Sequence, residues 1–161
     1  MSTRFLISLV LCAATIYVLP EGRIVKRQVT HTFKNKQYYV ETLVKANFHN
    51  AFMFCQRLGM QLLTIDSNDE YDYIFNTIKS EFNFGRDSKL WTSGTDLGHE
   101  GKFHWLSTGF SMKINKWLSG QPDNDHGRGE HCVEFWNNKG SIGLNDDRCH
   151  ITNYFICEKR T

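Results

Sequence analysis

Four cysteines, Cys55, Cys132, Cys149 and Cys157, follow an apolar N-terminal run, and no other feature constrains this chain as much. The run is Phe5 to Leu19, broken by Ser8 and Thr15 and preceded by Arg4, the charged-then-apolar order of a secretory leader. It is shorter than the roughly 20 residues that cross a bilayer, and no second apolar run follows, so no membrane span is expected. The fifth cysteine, Cys12, lies inside the run and would leave with it. An even set of thiols in a secreted chain reads as a disulfide framework. Four cysteines admit three pairings, and spacing alone does not choose among them. Zinc is the competing use, but no two of the four show the close spacing that zinc sites usually have.

The expected organisation is a leader with a short pro-segment over residues 1–27 and one domain over residues 28–161, secreted and extracellular. Small residues at Cys12-Ala13-Ala14, Gly22 beyond Pro20, and the dibasic Lys26-Arg27 are alternative cut sites. Removing 1–27 takes four basic residues and one acidic one, so the formal charge passes from +2 to −1, with 15 basic against 16 acidic side chains. That balance carries no basic stripe, and nucleic acid is not an expected partner. With 40% hydrophobic and 14% aromatic residues the chain can build a core.

Local patterns place helices first. Gln37 to Val40 reads as a strand. Phe48, Phe52, Cys55 and Leu58 recur at helical spacing behind Asn47 as N-cap, with Gly59 as the stop. Ser67 and Glu70 form a capping box ahead of the stripe Tyr71, Ile74, Phe75, Ile78 and Phe82. From Leu90 onward, short apolar pieces alternate with Gly, Asn, Asp and Ser: Leu90-Trp91, Phe103-His104-Trp105, Val133 to Trp136 and Tyr154 to Ile156. These predict strands between long loops, of which Ser107 to Glu130 is the longest. The class is α+β: two helices packed on a loop-rich, mainly antiparallel sheet with two disulfides.

The chemistry concentrates between Gln121 and Asp147. Gln121, Asp123, Asn124, Asp125, Glu130, Asn145, Asp146 and Asp147 crowd hard oxygen donors around Cys132 and Cys149, which suits Ca2+ rather than a softer ion. The competing account is a solvated acidic loop. Pro122 stands between two of the candidate ligands, where a fixed peptide geometry can aim both at one point.

Taken together, Cys55, Leu62 to Ile65, Trp91-Thr92-Ser93-Gly94, Gln121-Pro122-Asp123, Glu130-His131-Cys132, Asn145-Asp146 before Cys149, and Phe155-Ile156-Cys157-Glu158 resemble the C-type lectin family over about residues 37 to 158. The resemblance implies the pairings Cys55–Cys157 and Cys132–Cys149. It implies a sugar-binding calcium held by Gln121, Asp123, Glu130, Asn145 and Asp146, with a backbone carbonyl of Asp146, and no catalysis. Carbohydrate contacts fall to Gln121, Asp123, Glu130, Asn145 and, by stacking, His126. The Gln-Pro-Asp order resembles that of galactose binders in the family, although Asn124, Asp125 and His126 stand where those usually carry a tryptophan. Asp96 and Glu100, with Glu130 and one of Asn124 or Asp125, match a second calcium site of some relatives, but His131 replaces an acidic ligand there.

The expected function is thus calcium-dependent binding of galactose-type glycans, on glycoproteins or microbial surfaces, resembling arthropod lectins of innate immunity; a homo-oligomer would multiply weak sites. One alternative is a lectin-like fold acting through protein contacts without sugar. A secreted hydrolase using His99, Glu100 and His104 is remote, because those histidines lack the i, i+4 spacing of zinc peptidases and no Gly-x-Ser-x-Gly elbow is present.

Overall fold

Strand pairing decides where the acidic residues of this chain end up. The computed structural model describes residues 9–11, 14–18, 24–26, 30–81, 84–85 and 87–161. Met1–Thr30 and His31–Thr161 form separate units. In the first, β1 (Leu9–Leu11), β2 (Ala14–Val18) and β3 (Ile24–Lys26) make an antiparallel three-stranded sheet. Cys12, Ala13, Gly22 and Arg27, on which the expected cut sites fall, lie outside the described residues, as does Phe82.

The second unit is built on an eight-stranded mixed sheet. Its strands are β4 (Thr30–Phe33), β5 (Lys36–Ala46), β6 (Gln61–Leu62), β7 (Lys89–Thr95), β8 (His104–Trp105), β9 (Cys132–Asn138), β10 (Ser141–Asp147) and β11 (Asn153–Arg160). The main path runs β10-β9-β7-β11-β5-β4, with β6 on β11 and β8 on β7. Only β11 and β7 pair in parallel among the registers described. The strand expected at Gln37–Val40 extends to Ala46 because β11 pairs with it from Lys36 to Glu41 and again at Ala46.

Helix α1 (Phe48–Arg57) starts where Asn47, in extended conformation, accepts the Asn50 amide at 2.8 Å on its side chain. Its buried face is Phe48, Ala51 and Cys55. Leu58, expected on that stripe, is instead 48% exposed, because as C-cap it leaves helical geometry (φ −82°, ψ 0°) and turns off the face. Helix α2 (Asn68–Glu81) opens with the Glu70 amide on Ser67 Oγ at 3.2 Å. The Glu70 carboxylate does not close the box on Ser67; it accepts the Asp66 amide at 2.8 Å and is drawn to buried Lys36. Tyr71, Ile74 and Ile78 bury the stripe against Leu90, Phe135 and Ile156. Gly94 closes the Trp91-Thr92-Ser93-Gly94 segment where only glycine fits, since a Cβ there would stand 2.8 Å from Met112 Sδ and Val133 Cβ.

Both disulfides implied by the resemblance are present. Cys55–Cys157 ties α1 to β11 across 102 positions, and Cys132–Cys149 closes 17. In the chain-entropy picture such closures contribute roughly 3–5 kcal/mol each, the longer one more. The architecture is therefore the expected one, with a third short helical turn, α3 (Asn124–Gly127), inside the long loop.

Candidate metal centre

The candidate ligand residues come from two places, the long loop and the β9–β10 hairpin, whose ends the Cys132–Cys149 disulfide joins. β9 and β10 pair without a break from Cys132↔Asp147 to Asn138↔Ser141, so Asn145 stands opposite Glu134 and Asp146 opposite Val133. The long loop delivers Gln121, Asp123 and Glu130, and the Gln121–Pro122 peptide bond is cis. Asp123, Glu130 and Asp146 each place a carboxylate oxygen within 4.8 Å of the others. Asp146 also fastens the loop, accepting the Asp123 amide at 3.1 Å and the Asn124 amide at 2.8 Å.

Two further acceptors have no partner among the described residues. Gln121 Oε1 and Asn145 Oδ1 are both buried and receive no hydrogen bond. A buried amide oxygen left alone costs roughly 1–3 kcal/mol, a cost that a cation held with the Asp123, Glu130 and Asp146 carboxylates would relieve. Asn145 is oriented by a residue that sequence reasoning missed. Its Nδ2 donates to Glu134 Oε1 at 3.1 Å, and also to the Asp146 carbonyl, which leaves Oδ1 as the free atom. Glu134 is fully buried, held by Lys89 Nζ at 2.8 Å and by Asn153 Nδ2. Burial pushes its carboxyl up to about 8 against the pull of Lys89. A carboxylate inside the apolar run Val133-Glu134-Phe135-Trp136 was the available signal.

Electrostatics mark the same place. Burial, and then the charges of Asp147, Asp146, Asp125 and Asp123, push the Glu130 carboxyl up to about 7. Burial likewise raises Asp146, although the amides of Asn124 and Asp123 oppose it. Like charges crowded this closely favour a divalent ion. Five oxygens from Gln121, Asp123, Glu130, Asn145 and Asp146 fit Ca2+, which takes six to eight and leaves room for outside ligands.

The loop between these ligands is a left-handed turn. Asn124, Asp125 and His126 have φ of 49°, 41° and 56°, a conformation costing about 1–2 kcal/mol per residue, least for Asn and Asp. Asn124 Oδ1 accepts the Gly129 and Glu130 amides at 2.9 and 2.7 Å, and Asn124 Nδ2 donates to Glu100 Oε2 at 2.7 Å. His126 is exposed on this turn.

The second set is partly assembled. Asp96, Glu100 and His131 gather within 4.8 Å. His131 Nδ1 lies 3.0 Å from Asp96 and 3.5 Å from Glu100, so an imidazole stands between the two carboxylates. Asn124 joins them through Glu100, whereas the Asp125 carboxylate turns away to Arg148 and Arg128. Of the residues weighed for a hydrolase, His104 Nδ1 is hydrogen-bonded to the Lys102 carbonyl, and Glu100 accepts from Asn124.

The lectin C-type domain pattern matches residues 44–159. The chain belongs to the C-type lectin family. Lectin subunit alpha of Sarcophaga peregrina is 32% identical over 136 residues, covering 81% of this chain and 47% of that protein. C-type lectin 37Da of Drosophila melanogaster is 36% identical over 119 residues, covering 72% of this chain and 62% of its own length. This C-type lectin chain thus spans between about half and three-fifths of those two relatives. The mouse scavenger receptor C-type lectin carbohydrate-recognition domain has 33% identity and a TM-score of 0.69, covering 81% of this chain and 95% of its own. Among the described residues no helix is long and apolar enough to cross a membrane.

Proposed function

We propose that this C-type lectin is a secreted, calcium-dependent carbohydrate-binding protein selective for galactose-type glycans, acting in extracellular recognition such as innate immunity. The observation that carries this reading is the cluster of Asp123, Glu130 and Asp146 carboxylates, together with two buried oxygens of the same expected ligand set, Gln121 Oε1 and Asn145 Oδ1, that have no partner among the described residues. A bound Ca2+ would supply coordination positions where two neighbouring sugar hydroxyls replace water. The chain's own residues set which hydroxyls fit. Gln121 keeps amide N–H donors, and Asp123 and Glu130 keep lone pairs, while both N–H groups of Asn145 are already given to Glu134 and the Asp146 carbonyl, so the donor side falls to Gln121 and the acceptor side to the two carboxylates. Two intact disulfides and an apolar leader support secretion. The protein-contact alternative gives no reason for partnerless acceptors in an intact ligand set.

The mature protein is expected to be retained on immobilised galactose in millimolar calcium and released by a chelator. Retention in excess chelator would refute calcium dependence; no retention at all would favour the protein-contact alternative.

Selectivity follows from donor and acceptor order. With an exposed His126 in place of a tryptophan, apolar contact with a sugar face is small, so preference for galactose over mannose is expected to be about tenfold or less, near 1.4 kcal/mol. Gln121→Glu with Asp123→Asn exchanges the two sides and should move the preference toward mannose. A glycan-competition ranking that the double change leaves untouched would transfer the selectivity to the loop from Ser107 to Gly120.

A further inference from the structure

We propose that Arg148 is a positioning residue for the calcium-binding loop, acting through Asp125 rather than on the ion or the sugar. This rests on the calcium reading above. The turn Asn124–Asp125–His126 has three consecutive left-handed residues, none of them glycine, so outside contacts must hold it. Asn124 anchors its start, through Asp146, Glu100 and the amides of Gly129 and Glu130. Its middle is anchored by Asp125, whose carboxylate takes the Arg148 guanidinium. Arg128 stands 3.6 Å from the same carboxylate but is 67% exposed, a weak substitute.

Arg148 is placed for this work by its neighbours in the chain. It follows Asp146 and Asp147 at the end of β10, its amide donates to Asp147 Oδ1 at 2.7 Å, and Cys149 next to it is bonded to Cys132. Its backbone is thereby fixed to the strand that carries Asn145 and Asp146, while its side chain reaches 23 positions back to the loop that carries Asp123 and Glu130. The two ligand-bearing segments are tied together by one ion pair. Arg148 also balances Asp125, whose charge would otherwise add to the three crowded carboxylates and push the turn outward. Its role is orientation of ligands already present, the part that outer partners play in metal sites generally.

Calcium calorimetry on the secreted chain tests this, with Arg148→Ala, Arg148→Lys, and Asp125→Asn alone and combined with Arg148→Ala. Wild type binds first; if it does not, the calcium reading itself fails, and this proposal with it, before any variant is compared. Arg148→Ala should weaken calcium about tenfold, and Arg148→Lys should restore most of that loss. The double variant should be no weaker than Arg148→Ala, because both members of the pair are then gone. In chelator, Arg148→Ala should melt within about 2 °C of wild type, and exchange of the Gly129 and Glu130 amide protons should rise about tenfold as the turn loosens. Unchanged calcium affinity in Arg148→Ala overturns the proposal. So does a loss matched by a large fall in melting temperature in chelator, since Arg148 would then hold the fold and not the loop.

Discussion

Glu130→Gln is expected to raise the melting temperature of the calcium-free protein at pH 8 and to abolish the rise that calcium produces. In the metal-free fold the Glu130 carboxyl stands at about 7, above its ordinary 4.5, because burial and the Asp147, Asp146, Asp125 and Asp123 charges disfavour its ionised form. Between those two values the folded protein holds a proton that the unfolded chain has lost, so stability falls as pH rises through that window and the penalty is complete above it. Gln removes the charge and the penalty together. The gain should be a few degrees at about pH 8 and vanish near pH 4.5. With calcium the order reverses. For wild type, about 10 mM calcium against a Kd of about 0.1 mM is a hundredfold excess, worth about 2.7 kcal/mol and roughly 5–10 °C. The Gln variant lacks one of three carboxylates, its affinity falls on the order of a hundredfold, and the calcium shift disappears. Protons should compete similarly in wild type, with affinity falling by up to about tenfold per pH unit below about 7. Melting curves at pH 5 and 8, with calcium and with chelator, read all of this. A variant less stable than wild type in chelator at pH 8 would mean that Glu130 serves the fold.

Much of the fold was legible because its local signals agree with its packing. Asn47 as N-cap, Ser67 ahead of Glu70, and the apolar pieces at Leu90-Trp91, Val133–Trp136 and Tyr154–Ile156 all fall inside elements of the structure. β10 was not legible. Ser-Ile-Gly-Leu-Asn-Asp-Asp has little β-forming character, and its strand conformation comes from seven-residue pairing with β9. Its turn, Lys139-Gly140 with φ of 53° and 104°, puts a lysine where Asn or Asp usually announces a hairpin. The site divides in the same way. Residue types identified the candidate ligands, but not that Glu134 turns the Asn145 amide, nor that Asp125 faces Arg148 and not Asp96. Those depend on contacts spanning 11 and 23 positions, which no local pattern encodes. Leu58 shows the reverse failure, an apolar residue in helical register that the cap carries out of the helix.

Lys36→Met is expected to cost about 3–5 kcal/mol, and the loss should depend on pH. Lys36 is 3% exposed, and its ammonium donates to Glu70 at 2.8 Å, Glu158 at 3.0 Å and the Thr64 carbonyl at 2.8 Å, with Asp66 at 3.0 Å. It therefore joins β5, the start of α2 and β11 at one point. Burial opposes its charge, yet Glu158, Glu70 and Asp66 outweigh burial and hold its pKa above the usual value. It stays charged from pH 5 to 8, so its own contribution is constant over that range. Glu158 is the sensitive partner. Burial raises its pKa and Lys36 restrains that rise, so removing Lys36 lets it climb further. A carboxylate with a raised folded pKa is destabilising above that pKa and relieved as pH falls toward the unfolded value. The deficit of Lys36→Met should accordingly be largest near pH 8 and shrink by pH 5. Adding Glu158→Gln should recover part of it at pH 8, because Gln61 Nε2, now 2.6 Å from Glu158 Oε1, can still donate to the amide oxygen. Urea unfolding at both pH values measures this, and a deficit that is equal at pH 5 and pH 8 would assign the loss to side-chain packing instead of to a stranded buried charge.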